Sequence, residues 1–277
     1  MARTLKLTVS YDGTRFVGWQ RQAEGVSIQG LLEDALARFE GAPVTVHGAG
    51  RTDAGVHALG QVASVQLASA HPVDSVARGL NACLPPEVRV VAAEEAAAGF
   101  HARFSAVSKT YRYLVRNAPL VTPFERAFVW HVPQALDLEA MQAAARAVVG
   151  AHDFSAFSSS AKGGVASRPD TPALTGGDRK ATVRTMSRSE IARHAGRTLL
   201  DPAGESGAEG ATLLAYEIGG DGFLRHMVRA IVGTLVEIGR RQRPAASMAA
   251  LLAGGSRAEA GATAPPQGLF LVRVDYD

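Results

Sequence analysis

The sequence predicts an α+β fold in which helices pack on a mainly antiparallel sheet. Two observations lead to this prediction. Short runs of alternating apolar and polar residues are interleaved with runs of helical periodicity, and residues 1–105 give the order β-α-β-β-α-β. That order is typical of a ferredoxin-like sandwich. Because residues 106–277 repeat the order of elements without repeating the letters, we expect two ferredoxin-like halves that share one sheet.

The N-terminal half, residues 1–105, combines four predicted strands with two predicted helices. The first helix is the best marked, since Ser27 is a candidate N-cap and Gly41 ends a run of apolar residues at helical spacing. The second helix ends before Pro85 and Pro86. The strands are predicted at 4–10, 43–49, 60–67 and 88–95, and the helices at 28–40 and 73–84.

The C-terminal half, residues 106–277, contains the longest predicted helix, over 223–241. The apolar residues of this helix recur at helical spacing and form one stripe. An alanine-rich segment that ends at Gly150 predicts a second helix. That helix is predicted at 138–149, and the strands are predicted within 100–116 and at 183–194, 211–218 and 269–275.

Composition places the chain among globular proteins, because 47% of its 277 residues are hydrophobic and 20% are charged. The formal net charge of +3 is too small to indicate nucleic-acid binding by itself. Cys83 is the only cysteine, which excludes an intrachain disulfide and a cysteine-based zinc site and fits a reducing compartment. No secretory signal is visible, and no run approaches the roughly 20 apolar residues of a membrane span. We therefore expect a cytoplasmic protein.

The loop between the second and third predicted strands is the most informative part of the chain. It holds Arg51 and Asp53 among glycines that permit a tight turn and the close approach of a ligand. Such a loop presents one carboxylate at the end of a sheet with little bulk around it. On these residues alone, it is either a functional loop or a surface hairpin with an ordinary Arg-Asp pair.

This loop resembles the active-site motif of the TruA family of tRNA pseudouridine synthases. The family signature Gly-Arg-Thr-Asp-Ala-Gly-Val-His is matched completely from Gly50 to His57. Other blocks that resemble the family occur in the family's order and span nearly the whole chain. They are residues 11–13, 16–20, 100–104, 109–113, 152–154, 223–229 and 268–272.

The resemblance implies an isomerase that converts uridine to pseudouridine at positions 38 to 40, in the anticodon stem-loop of tRNA. It also implies a homodimer whose two subunits contact one tRNA, and a central RNA-binding cleft between the two halves. The reaction has no redox step, so no cofactor is expected. A metal is not expected either, because His47 and His57 flank the loop without the ligand spacing of a metal site.

The chemistry needs a carboxylate that acts at the sugar, a group that removes the C5 proton, and a pocket that holds the free base. Asp53 matches the family's catalytic aspartate, and the sequence leaves open whether it adds to the sugar carbon or abstracts a sugar proton. Tyr111 matches the tyrosine that stacks on uracil and is a candidate acceptor of the C5 proton; core tyrosine is the alternative for both Tyr111 and Tyr113. Arg229 matches the basic partner of the aspartate, and a positive neighbour keeps a carboxylate ionised and fixes its rotamer.

Four more residues are candidates for binding the substrate. Arg51 matches the arginine that enters the RNA as the target base flips out. Leu269 matches the apolar residue on the other side of the uracil, with an ordinary strand core residue as the alternative. Lys109 and Arg225 lie in two of the blocks that resemble the family and are candidate RNA-binding residues.

Two alternatives stay open at this point. The chain could be an RNA-binding or tRNA-folding protein without chemistry, although such a protein does not need Asp53, Tyr111 and Arg229 together. It could also be a pseudouridine synthase that acts on another RNA, because substrate choice depends on surface shape. Stretches rich in Ser, Gly, Pro or Ala near 158–182 and 196–210 are predicted surface insertions, which are either neutral or extend an RNA-binding rim.

Overall fold

The fold is α+β, as predicted, and consists of one large sheet with helices packed on it. The computed structural model describes residues 2–159, 181–194 and 212–277. Within these ranges the strands are β1 (Arg3–Tyr11), β2 (Val46–Gly48), β3 (His57–Leu67), β4 (Val88–Glu95), β5 (Ala106–Asn117), β6 (Trp130–Val132), β7 (Gly150–Asp153), β8 (Val183–Arg193), β9 (Thr212–Gly220) and β10 (Leu269–Tyr276). The α-helices are α1 (Ile28–Glu40), α2 (Val73–Cys83), α3 (Leu138–Arg146), α4 (Met227–Gly239) and α5 (Ser247–Leu252).

The ten strands that the structure describes form a single sheet in the order β4-β1-β3-β10-β5-β9-β8-β7, with β2 paired to β3 and β6 paired to β5. All pairs are antiparallel except β10 with β3 and β5 with β6. The spatial order β4-β1-β3-β2 recurs in the later strands as β10-β5-β9-β8. The two sets of strands meet where Phe270 and Leu271 pair with His57 and Ala58.

The first helix begins and ends where the sequence predicts. The side chain of Ser27 accepts a hydrogen bond from the backbone N–H of Gly30, at 3.2 Å. At the other end, Gly41 has φ 66° and donates its N–H to Ala37. A glycine adopts this left-handed conformation without the steric cost that a side chain would add. These two caps fix the length of α1 and confirm the prediction.

Most of the predicted strands and helices are confirmed, and the differences have local causes. The helix predicted over 223–241 begins at Met227, because His226 has φ 62°, a left-handed conformation that a right-handed helix cannot contain. The helix predicted over 138–149 ends at Arg146, and Gly150, with φ 112°, begins β7. The short elements β6, β7 and α5 were not predicted. The predicted insertions near 158–182 and 196–210 lie almost wholly outside the described residues.

The core lies between the sheet and the helices. In β1, Leu5, Leu7 and Val9 are fully buried, which confirms the alternating pattern of that strand. Every residue of α4 is buried except Arg229 and Glu237, so this helix runs through the interior. Within the described part of the chain, every helix is too short or too polar to span a bilayer.

Candidate active site

The loop between β2 and β3 carries Asp53 and is fixed by contacts on both sides. The backbone N–H of Trp19 donates to the carbonyl of Thr52 at 3.1 Å, and the Tyr11 hydroxyl lies 2.8 Å from the Thr52 hydroxyl. Gln61 donates its side-chain amide to the carbonyl of Gly50 at 2.9 Å. The loop is therefore held as a rigid part of the fold before any ligand binds.

Close packing against this loop requires a glycine at position 18. Gly18 has φ 105°, and a Cβ atom placed on it would lie 2.5 Å from the carbonyl oxygen of Thr52. Both the backbone conformation and the lack of space exclude a side chain there. The glycine in the predicted block 16–20 therefore supports the loop that carries the aspartate.

Asp53 forms an ion pair with Arg229, the residue that the resemblance gives as its basic partner. The Nη1 atom of Arg229 lies 3.2 Å from Oδ2 of Asp53, and its Nε atom donates to the carbonyl of Ala264 at 2.7 Å. The guanidinium is thus held at two points and fixes one carboxylate oxygen. The Asp53 side chain remains 32% exposed, and Oδ1 has no hydrogen bond to any residue that the structure describes. The second oxygen is therefore available to a substrate.

His226 also contacts the aspartate, and sequence reasoning gave it no role. Its Nε2 atom lies 3.4 Å from the same Oδ2 atom of Asp53. Burial lowers the pKa of His226; the charge of Asp53 opposes this shift, whereas Arg229, Arg225 and Arg257 add to it. The spacing of His226 and Arg229 could have indicated this contact, because residues three positions apart lie on the same face of a helix.

The structure distinguishes between the two tyrosines of β5. Both side chains are buried and lie on one face of the strand, as alternation predicts. Tyr113 donates its hydroxyl to the carbonyl of Pro265 at 2.7 Å, so it is a satisfied core residue. The Tyr111 hydroxyl has no hydrogen bond to a described residue, and its ring packs edge-on against Phe223 with centroids 4.8 Å apart. Burial raises the pKa of Tyr111, and the nearby Tyr11 and Asp53 raise it further.

Leu269 and Lys109 lie on elements that border the aspartate loop and Tyr111. Leu269 begins β10, is 6% exposed and pairs with Tyr113 across the sheet. Lys109 packs against the loop, because a Cβ atom placed on Gly50 would lie 3.5 Å from its Cε atom. Burial lowers the pKa of Lys109, and the charges of Arg103 and Arg184 act in the same direction.

Arg51 and Arg225 are exposed, and neither forms an ion pair with a residue that the structure describes. Arg51 lies two residues before Asp53 on the loop, and Arg225 precedes His226. Each guanidinium can therefore meet an anionic ligand without first breaking an ion pair inside the described part of the protein.

His57, the last residue of the loop motif, is buried and bonds to the surrounding backbone. Its Nδ1 atom accepts the backbone N–H of Gly13 at 3.0 Å, and Nε2 lies 3.1 Å and 3.2 Å from the carbonyls of Ala127 and Gln267. Its ring also stacks on Phe270. Burial lowers the pKa of His57, and the charge of Asp12, whose Oδ1 atom lies 3.2 Å from Nδ1, opposes this shift. Among the described residues, no three His, Cys, Asp or Glu side chains are grouped as a metal site would require.

Comparison with known proteins agrees with this geometry. The family described as tRNA pseudouridine synthase matches residues 7–105 and 144–277. The chain belongs to the TruA family of tRNA pseudouridine synthases, which are isomerases. Proteins named tRNA pseudouridine synthase A are similar over nearly the whole length. The relative from Syntrophotalea carbinolica is 42% identical, over 98% of this chain and 96% of its own. The relative from Geotalea uraniireducens is 41% identical, over 99% of this chain and 100% of its own. The relative from Myxococcus xanthus is 44% identical, over 98% of this chain and 91% of its own.

The family match leaves out residues 106–143, the segment that contains Lys109 and Tyr111. The three relatives align with 98% or 99% of the chain, so their similarity extends across this segment. Membership of the TruA family therefore rests on the whole length of the chain.

Proposed function

We propose that this protein isomerises uridine to pseudouridine at positions 38 to 40, in the anticodon stem-loop of tRNA, without a cofactor. One observation carries the proposal. The carboxylate of Asp53 is held through Oδ2 by Arg229, its Oδ1 is available, and Tyr111 lies close to it. The names of the relatives support tRNA as the substrate, and the complete match of the loop supports the anticodon stem-loop.

Asp53 begins the reaction in this proposal. Its Oδ1 atom either adds to the sugar carbon as the C–N bond breaks or removes a proton from the adjacent sugar carbon. In both routes the uracil leaves with the electron pair of the glycosidic bond, rotates, and reattaches through C5. The ion pair with Arg229 holds the carboxylate in one orientation throughout, which lowers the entropic cost of the attack.

Tyr111 acts after the base has reattached. Its raised pKa means that the phenol is neutral at neutral pH, so it cannot take the C5 proton as a phenolate. A neutral phenol can accept that proton if it passes its own proton on in the same step, and Asp53 is the neighbouring acceptor. Its ring, with Leu269, supports the free uracil while the base rotates.

The remaining residues bind the RNA. Arg51 enters the RNA where the target base flips out, and the cations Lys109 and Arg225 bind phosphates. The cleft lies between residues 1–105 and 106–277, and two copies of the chain form a homodimer that binds one tRNA. The charges around Asp53 and the resemblance to the family support these assignments.

The test compares the wild-type protein with Asp53→Asn, using tRNA that carries tritium at uridine C5. We expect tritium release by the wild type without added metal or cofactor, and a loss of about 1000-fold or more in the variant. Binding of tRNA should be little changed, because asparagine keeps the shape of the side chain. If neither protein releases tritium while both bind tRNA tightly, the protein is an RNA-binding protein and the proposal is wrong.

A further inference from the structure

An exposed stack of rings, which we call the aromatic stack, lies on the surface beside the aspartate loop and has no part in the proposed chemistry. It consists of His47, His101 and Phe104. The rings of His47 and His101 have centroids 4.8 Å apart and are tilted by 32° to each other. Those of His101 and Phe104 are 4.3 Å apart and tilted by 33°. The guanidinium carbon of Arg103 lies 5.6 Å from the centre of the Phe104 ring. Phe104 is 58% exposed, so its ring is accessible to a ligand.

The backbone holds the aromatic stack in place. His47 projects from β2 on the side opposite to buried Val46, and it pairs across the sheet with Ser64. The Ser64 hydroxyl accepts the N–H of Ala102 at 3.0 Å, which ties the turn of His101 to the same strand pair. Within that turn, Nδ1 of His101 accepts the backbone N–H of Arg103 at 3.1 Å. A platform ordered in advance loses little entropy when a ligand binds.

The charges around the aromatic stack suit a polyanion. Arg103 lies near enough to Lys109 to lower the pKa of that lysine, and Lys109 packs against Gly50 of the aspartate loop. The segments 96–109 and 41–52, which carry the aromatic stack and Arg51, contain no aspartate or glutamate. Arg103 forms no ion pair with any residue that the structure describes. A row of cations therefore connects the aromatic stack to the site of Asp53.

We propose that the aromatic stack, with Arg103 at its edge, binds an unpaired nucleobase of the RNA substrate close to the target uridine. Proteins bind unpaired bases by stacking them on aromatic rings and guanidinium groups, and they hold the backbone with cations. The aromatic stack supplies both kinds of group beside the proposed active site. This inference rests on the proposed function, because it takes RNA as the substrate.

The test measures the affinity of an anticodon stem-loop RNA in the Asp53→Asn background, where no turnover occurs. Phe104→Ala should weaken binding about tenfold and leave its salt dependence unchanged, because a stacked base carries no phosphate charge. Arg103→Gln should make the plot of log K against log salt less steep by about one unit, because one phosphate contact is lost. Phe104→Trp should restore affinity, and a fluorescent adenine analogue in the loop should be quenched by the parent protein and not by Phe104→Ala.

Phe124→Ala is the matched control, since Phe124 is 68% exposed and lies outside the aromatic stack. Wild-type affinity in Phe104→Ala would overturn the inference, and so would an equal loss in Phe124→Ala. A change in the sedimentation of Phe104→Ala would assign the surface to contact between copies of the chain and would also overturn it. Tritium release by the wild type is a separate measurement, so failure of the proposed function is distinguishable from failure of this inference.

Discussion

At the scale of single residues, two basic side chains meet one oxygen of Asp53. Arg229 and His226 lie 3.2 Å and 3.4 Å from Oδ2, and both belong to the turn that begins α4. His226 reaches the carboxylate because its backbone has φ 62°, which turns the chain just before the helix. Strained residues of this kind are found at functional sites, where the surrounding structure compensates for their cost. The strain at His226 therefore points to a role in orienting Asp53.

Replacing His226 with asparagine tests this role. Asparagine tolerates the left-handed backbone, but its shorter side chain does not reach Asp53 as the imidazole does. We expect kcat to fall about tenfold because the carboxylate is less well oriented, with KM for tRNA and the melting temperature nearly unchanged. Steady-state kinetics and thermal unfolding provide these values. An unchanged kcat would show that Arg229 alone positions the aspartate.

Replacing Tyr111 with phenylalanine separates the ring from its hydroxyl. The Tyr111 hydroxyl forms no hydrogen bond with a residue that the structure describes, and it lies close enough to Asp53 for that charge to raise its pKa. We therefore expect the hydroxyl to have a use in the reaction. We expect the variant to bind tRNA as the wild type does and to release tritium about 100-fold more slowly. Tyr113→Phe is the matched control; it loses the bond to Pro265, so stability should fall while the tritium-release rate of the folded enzyme is retained. Equal rates for Tyr111→Phe and the wild type would limit Tyr111 to stacking.

At the scale of elements, the geometry of the aspartate loop depends on the chain segment that leads into α1. Gly18 lies against the carbonyl of Thr52, and its own carbonyl accepts the N–H of Ile28, the first residue of that helix. A change at Gly18 therefore acts on the helix and on the loop together. We therefore expect a side chain at position 18 to disturb both the start of α1 and the position of Asp53.

The substitution Gly18→Ala should reduce both stability and activity. We expect a loss of about 2 kcal/mol or more in the free energy of unfolding, with a lower kcat, because the added Cβ displaces the loop. Gly41→Ala is the control, since Gly41 also has positive φ but has open space around its Cβ position. That variant should lose about 1 kcal/mol and keep its kcat. Denaturant unfolding and tritium release measure the two effects, and equal kcat values for the two variants would contradict the coupling.

At the scale of the whole molecule, the strands that the structure describes form one continuous sheet from β4 to β7, as the prediction of a shared sheet requires. A shared sheet gives residues 1–105 and the described part of 106–277 one hydrogen-bonded structure, so we expect a single cooperative unfolding transition. The two tryptophans report on different parts of the chain. Trp19 packs beside β2, within residues 1–105, and Trp130 lies in β6, within residues 106–277.

The measurement uses the variants Trp19→Phe and Trp130→Phe, each of which keeps one tryptophan. In each variant, tryptophan fluorescence and far-ultraviolet circular dichroism should lose their native signal at the same denaturant concentration. Separate midpoints for the two signals would mean that residues 1–105 and 106–277 unfold independently.

Much of this architecture was predictable because its signals are local. The caps of α1 depend on Ser27 and Gly41, and the alternation of β1 depends on neighbouring side chains. The pairing of Asp53 with Arg229 was predictable only through resemblance to the family, because the two residues lie far apart in the chain. The predicted start of α4 was wrong, because apolar spacing does not reveal the left-handed backbone of His226. The pairing of β10 with both β3 and β5 also depends on distant contacts.

The position of β10 has a consequence for the timing of synthesis. This strand lies between β3 and β5, yet it is made long after both of them. Until residues 269–276 are made, the nascent chain lacks the strand that pairs with both β3 and β5. Contacts between distant segments form late in folding. We therefore expect Asp53 and Arg229 to be synthesised before the sheet that holds them is joined, so that activity first appears when β10 pairs with β3 and β5.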